Sequence, residues 1–251
     1  LGLTRIDAAE AGVDALGYVI ENSWMGRVLM ERLAASDVEV VAPARVASMT
    51  PLKQGMSIAL DDSERNIHAA LVVIADGAQS QTAQKMGIQS NTQPYGQQGI
   101  IANIAVEKPH DGIAYERFTE QGPMAMLPLP DFEGSARCAL VWTKPNEVAE
   151  QLMAATDDVF LQLLQDSFGY RLGQLQKVGT RHSYPLALTT ASEQVRRNLV
   201  VLGNAAHSLH PVAGQGFNLS LRDVAVLAEV LGKSCRDGVR RSAFNDVSDF
   251  T

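Results

Sequence analysis

Cysteine is almost missing from this 251-residue sequence, with two copies, Cys138 and Cys235, far apart in the chain. Two isolated thiols exclude a disulfide framework, a CxxC redox pair and any zinc site built on cysteine spacing. Positive charge is also in short supply. Lys plus Arg is 21 against 28 for Asp plus Glu, a net charge of −7. That balance argues against a surface built to neutralise phosphates, and no nucleic-acid partner is expected. Apolar runs such as Ala69 to Ala75 fall well short of the ~20 residues a membrane-spanning helix needs. No secretory leader is visible, so a reducing cytoplasm is the expected compartment. What is present, 46% apolar and 20% charged residues, sits at the globular average and excludes a disordered chain or a fibrous rod.

Apolar spacing predicts a helix over Trp24–Ala35, then a short strand at Val38–Val41 stopped by Pro43. Ser57–Leu60 reads as a strand, Asp61–Ser63 as a turn and Ile67–Ala75 as a return strand. Its last part, Leu71-Val72-Val73-Ile74-Ala75, is continuously apolar, as expected of a strand covered on both faces. Gln81–Met86 looks helical. From Gln97 to Thr143, short apolar segments alternate with Gly, Pro and Asp clusters, the pattern of an antiparallel sheet. One long amphipathic helix is expected over Asn146–Phe168. A strand-like stretch follows at Tyr184–Ala187, then a fully apolar strand at Asn198–Gly203 and a helix over Leu219–Leu231, with Leu221, Val224, Leu227, Ala228 and Leu231 expected on one face. The fold class is therefore α/β at both ends with an antiparallel sheet between. Expected boundaries are 1–92, 93–190 and 191–251.

Two segments share one design, an apolar strand running into a small or polar turn. They are Val72-Val73-Ile74-Ala75-Asp76-Gly77-Ala78-Gln79-Ser80 and Val200-Val201-Leu202-Gly203-Asn204-Ala205-Ala206-His207. In open α/β sheets, ligands bind just beyond the carboxyl ends of such strands. The second segment continues through His210 and Pro211 to Gly214-Gln215-Gly216-Phe217-Asn218, immediately before the last helix. Glycines there allow close backbone approach, and free N–H groups at a helix start favour negative charge. A phosphate, a carboxylate or the anionic pyrimidine edge of a flavin would suit it. His207 and His210 form an HxxH without a third ligand at useful spacing, so no metal is expected. Ser80 and Ser208 lack the Gly-x-Ser-x-Gly surround of a hydrolase nucleophile.

Taken together, Gly203–His207, His210-Pro211 and Gly214–Leu219 resemble the second FAD-binding motif of the flavin-dependent aromatic hydroxylases. Ala75–Ser80 resembles their Asp-Gly motif, in the expected order. Glu116–Thr119, Gly122–Pro128, Val141-Trp142, Tyr184–Leu188 and Asn204 are similar to the ubiquinone-biosynthesis group, of the 2-polyprenyl-6-methoxyphenol hydroxylase type. The resemblance covers about residues 16–232.

The fold it implies is part of a glutathione-reductase-like FAD-binding domain with an inserted antiparallel-sheet substrate domain. The implied cofactors are FAD and, as reductant, NAD(P)H. The implied reaction is hydroxylation of a polyprenylated phenol by O₂, with other ubiquinone-biosynthesis proteins as candidate partners. The implied location is cytoplasmic, with attachment to the periphery of the inner membrane as the alternative. A non-catalytic piece of such a flavoprotein and a hydroxylase of soluble aromatics are the rival readings.

The expected cofactor contacts are Arg27, Asp76, Gly77, Gly203, Asn204, Pro211, Gly214, Gln215, Gly216 and Asn218; no catalytic acid or base is evident. Asn204 stands where the wider class carries Asp. Nothing in the chain matches the Gly-x-Gly-x-x-Gly turn that cradles the FAD pyrophosphate, and Gly232–Thr251 leaves the family pattern. The expectation is an internal fragment that holds FAD poorly alone, with Leu71–Ile74 and Leu199–Leu202 partly uncovered.

Overall fold

The structure, a computed structural model, describes residues 4–61, 63–210 and 214–236. Along the chain come α1 (Asn22–Ala34), β1 (Val46–Pro51), β2 (Met56–Leu60), β3 (Asn66–Ala69), β4 (Val72–Ile74), α2 (Gln81–Lys85) and β5 (Ser90–Val106). Then follow β6 (Tyr115–Thr119), β7 (Gly122–Phe132), β8 (Ser135–Pro145), α3 (Asn146–Ala154), α4 (Asp157–Phe168) and β9 (Leu175–Val178). The last are β10 (His182–Ala191), β11 (Val195–Arg196), β12 (Leu199–Val201), a 3-10 turn at Gly203–Ala205, β13 (His207–Ser208) and α5 (Gln215–Arg236). They form two compact units, Leu1–Val40 with Ile100–Ser183, and Val41–Gly99 with Tyr184–Thr251. The expected boundaries at 92/93 and 190/191 fall inside β5 and β10, long strands that continue from one unit into the other.

In the first unit the strand order is β5-β8-β7-β6, with β9 also on β5. Successive strand residues point to opposite faces. Ile100, Ala102, Ile104 and Val106 of β5, Met124 and Met126 of β7, and Cys138, Leu140 and Trp142 of β8 therefore share one face. That face packs against Leu152 of α3 and Phe160, Leu164 and Phe168 of α4. Trp142 and Phe160 meet edge to face at 5.8 Å, a geometry aromatic rings prefer. Gln165 is one of the buried polar residues of this unit, with Thr143 and Lys144 of β8. Its amide nitrogen donates to the carbonyls of Gly169 and Gly173 at 2.7 and 3.3 Å, and its oxygen accepts from Leu175 N at 2.8 Å. All its groups are satisfied, so it ties α4 to β9 without a desolvation penalty.

The single helix expected over Asn146–Phe168 is two. Ala155 is extended, and Thr156 caps a new start by accepting from Val159 N at 3.4 Å, with Asp157 and Asp158 in the first turn. Arg181 seals the break by donating to the carbonyls of Leu152 and Ala155, both at 2.8 Å. The strand expected at Val38–Val41 does not form; these residues are exposed coil. The Trp24–Ala35 helix is present as α1, and it has no buried residue.

The second unit holds two small sheets, β1-β2-β3 and β11-β12-β4, and the pairing of β10 with β13. The return strand expected over Ile67–Ala75 is split, β3 going to the first of these sheets and β4 to the second. β12 is as buried as its sequence suggests, with Leu199, Val200, Val201 and Leu202 between 0 and 4% exposed. The expectation that this run is partly uncovered is overturned: Leu227 of α5 covers Val200 and Leu202, while Leu199 and Val201 pack with Met56, Ala83 and Ile88. β4 differs. It is an edge strand among the described residues, and Val73 is 42% exposed.

Thr156→Ala should lower the unfolding free energy by about 1 kcal/mol, the usual value of such a cap. Urea titration with an unchanged slope and an earlier midpoint checks it; an unmoved midpoint means the cap is idle.

Candidate functional site

The two strand-to-turn segments belong to the same unit, and their meeting starts at Asn198. This residue is 3% exposed and left-handed, with φ of 61°, a conformation Asn tolerates better than most residues. Its side-chain nitrogen donates to the Ala70 carbonyl at 2.8 Å, and its own carbonyl accepts from Val72 N at 2.9 Å. From there β12 runs parallel to β4, in the register Leu199 with Val72, Val200 with Val73, and Val201 with Ile74. The Leu202 N–H donates to the Ile74 carbonyl at 2.8 Å. The same register carried forward sets Gly203 beside Asp76, so both turns leave the sheet at one end. The expectation that Asp76-Gly77 and Gly203-Asn204 lie on neighbouring strands holds.

Each turn is shaped by a left-handed glycine, Gly77 at φ 96° and Gly203 at φ 62°, positions costly for other residues. After Gly77, Ser80 is buried and caps α2 by accepting from Ala83 N at 2.9 Å. Asp76 Oδ2 accepts from Thr82 N at 3.3 Å. Burial pushes the Asp76 carboxyl up, but hydrogen bonds from the Ser80 and Thr82 side chains and the Thr82 backbone together outweigh it. Its pKa is held below the usual 3.8.

α5 begins at Gln215, four residues before the expected Leu219, so Gly216 sits in its first turn and Gly214 just ahead of it. Gly216, Ser220, Asp223 and Leu227 follow each other at helical spacing and share one face. Leu227 is buried with Val200 and Leu202. Asp223 Oδ2 lies 2.8 Å from Nε2 of buried His207. Ser220 Oγ donates to the Gly216 carbonyl at 3.2 Å and is 3.9 Å from where a Cβ on Gly203 would sit. The face thus runs from core to strand-end turn and ends at Gly216. Among the described residues, and apart from chain neighbours and the helix's own backbone, no atom lies within 4 Å of a Cβ built on Gly77, Gly214 or Gly216. Asn204, Gln215 and Asn218 are exposed, and Asn218 Nδ2 reaches the Gly214 carbonyl at 3.5 Å.

The apolar positions expected on one side of the helix separate: Leu227 is buried, whereas Leu221 and Val224 are 49 and 53% exposed. Pro211 lies outside the described residues. Arg27 belongs to the other unit, on α1, with its guanidinium 4.2 Å above the Trp24 ring. The two histidines of the HxxH have different neighbours, Asp223 for His207 and the ring edge of Tyr95 at 5.1 Å for His210. Burial holds the His210 imidazole below its usual pKa. Sequence reasoning missed the roles of Asn198 and Asp223. An Asn directly ahead of an all-apolar strand is a turn signal, but nothing local marks Asp223 as the partner of His207.

Comparison with known proteins says which family this unit belongs to. Residues 15–243 match the family model described as FAD binding domain. The chain belongs to this family. The ubiquinone hydroxylase UbiL of Rhodospirillum rubrum is 40% identical over 225 residues, covering 89% of this chain and 51% of that protein. The 3-demethoxyubiquinol 3-hydroxylase of Escherichia coli is 33% identical over 226 residues, covering 90% and 56%. The chain thus spans about half the length of the curated relatives it matches. Among solved structures, PqsL of Pseudomonas aeruginosa matches with a TM-score of 0.70 at 22% identity over 90% of this chain and 63% of that one. The p-nitrophenol 4-monooxygenase PnpA of Pseudomonas putida gives 0.68 at 16% identity, covering 91% and 57%. The fold is that of the FAD-binding aromatic hydroxylases, as the sequence motifs implied.

The residues gathered at this end of the unit could hold a cofactor. The glycine positions leave open space, and the exposed Asn204, Gln215 and Asn218 offer donors and acceptors. Asp76 makes a pH-dependent contribution here. With its folded pKa below 3.8, its stabilising effect is in place above that value and is lost as pH falls through the lowered one. The stability difference between wild type and Asp76→Asn should therefore shrink on acidification from neutral pH to about pH 3. Denaturant unfolding at several pH values measures it, and a constant difference contradicts the assignment.

Proposed function

We propose that this chain is the flavin-ring half of an FAD-dependent monooxygenase that hydroxylates a polyprenylated methoxyphenol in ubiquinone biosynthesis, using NAD(P)H and O₂. The observation that carries the reading is the parallel pairing of β4 and β12. It brings Asp76-Gly77, Gly203-Asn204 and the start of α5 to one end of one unit. Family membership and the two ubiquinone-pathway hydroxylases among the relatives support the cofactor and the substrate class.

FAD would supply the redox chemistry, passing reducing equivalents from NAD(P)H to O₂. The chain's own work is holding and orientation. Asn204 would hydrogen-bond a ribityl hydroxyl without bringing charge. Backbone N–H groups at Gln215 and Gly216, at the positive end of a 22-residue helix, would favour negative charge on the ring system. Gly77, Gly203, Gly214 and Gly216 would let backbone approach it closely.

For the substrate, the first unit offers the sheet face turned away from α3 and α4. There Ala125 pairs with Val141 and Leu127 with Ala139. These half-buried, apolar and mostly small side chains suit a prenylated phenol better than a charged one. No helix among the described residues is long and apolar enough to cross a membrane.

The function is tested by flavin absorbance of the purified protein and by NAD(P)H consumption with a prenylated methoxyphenol beside soluble phenols. The chain and a product extended to the relatives' length are compared. Retention of flavin and turnover of the prenylated phenol by the longer product support the proposal. Turnover of soluble phenols alone favours the rival substrate class.

Gly216 gives the sharper residue-level test. Gly214 has φ of 60°, so any side chain there is strained, whereas Gly216 has no positive φ and a Cβ there would meet nothing within 4 Å among the described residues outside its own helix. Gly216→Leu should leave stability equal or raise it by up to about 1 kcal/mol, because glycine is a poor helix residue. Flavin affinity should drop by about tenfold or more. Unchanged affinity would place the flavin elsewhere.

A further inference from the structure

His207 and Asp223 form a hydrogen-bonded pair that the flavin reading does not use. His207 is 8% exposed on β13, where Thr190 pairs with it and the neighbouring Ala206 carbonyl accepts from Ala191 N at 2.7 Å. Its Nε2 lies 2.8 Å from Asp223 Oδ2, two turns into α5. A carboxylate only accepts, so Nε2 carries the hydrogen and donates. Nδ1 is buried and has no hydrogen-bond partner among the described residues. A site tuned for stability alone would do better with apolar side chains than with a buried polar pair that leaves one nitrogen unsatisfied. What such a pair supplies and an apolar contact does not is a fixed distance and direction.

The two residues join the segments that matter for the cofactor. His207 follows the Gly203–Ala205 turn after one residue, Ala206. Asp223 lies on the same helix face as Ser220 and Gly216, between those residues and the anchor Leu227 in the core. We infer that the His207–Asp223 pair is a positioning clamp that sets the spacing between the Gly203-Asn204 turn and the first turns of α5. It thereby fixes the frame into which the flavin is received. The inference rests on the flavin reading for its purpose and on the pair's own geometry for its action. Neither residue touches the reacting atoms.

The test uses the 251-residue chain with His207→Leu, His207→Gln and Asp223→Asn. Leucine fills the space without a donor, and glutamine restores an N–H at similar reach. Hydrogen exchange of the amides at 203–206 and 216–220 is measured beside thermal unfolding, and FAD is titrated in by flavin fluorescence. His207→Leu should keep the thermal midpoint while exchange in both segments rises and FAD affinity falls, each by about tenfold. His207→Gln should recover both, and Asp223→Asn should lie between. Wild-type exchange in His207→Leu, or a glutamine variant no better than the leucine variant, overturns the clamp. Faster exchange with undiminished FAD affinity overturns its link to the cofactor. If wild type takes up no FAD while the exchange ranking holds, the clamp stands and the flavin reading fails.

Discussion

Everything at the candidate site depends on three residue pairs of parallel strand. Parallel neighbours cannot be joined by a tight turn, and here nearly half the chain lies between β4 and β12. What brings them back together is burial. Leu199, Val200, Val201 and Leu202 have almost no exposed surface, and each such side chain contributes roughly 1.5–3 kcal/mol on removal from water. Asn198 then sets the register through its hydrogen bond to Ala70, 128 residues away in sequence. A slip by one residue would exchange the two buried faces of β12, putting Leu199 and Val201 where Val200 and Leu202 pack, and send the two glycine turns to different heights.

The first unit works by a different economy. Its sheet is amphipathic in the ordinary antiparallel way, with large side chains such as Trp142, Met124 and Met126 on the side of α3 and α4. The opposite face carries smaller ones, Ala125, Ala139 and Val141 among them. Packing energy and surface chemistry are thus assigned to alternate residues of the same strands.

Legibility in the sequence followed how local each cause is. The antiparallel strands between Gln97 and Thr143 were readable because alternation and turn residues sit within a few positions of one another. The two glycine turns were readable because Asp76-Gly77 and Gly203-Asn204 directly follow apolar strands. Failures came where a distant partner decides. Val38–Val41 has strand-forming residues but joins no sheet among the described residues. Leu221 and Val224 have the spacing of a core stripe, but the turn at Gly203 and the core around Val200 select Gly216, Ser220, Asp223 and Leu227 instead. The break at Ala155 was the exception, since Thr156 followed by Asp157 and Asp158 is a helix-start signal in plain view.

The central claim is that the strand ends of β4 and β12 and the start of α5 make one flavin-ring site. It is tested most directly by following backbone amide resonances of the chain while FAD is added. The account predicts that the largest shifts fall at Gly77, Gly203, Asn204, Gly216 and Asn218, with the amides of β6 and β7 little moved. Shifts confined to the sheet of the first unit, or scattered over the surface without these five, would contradict it.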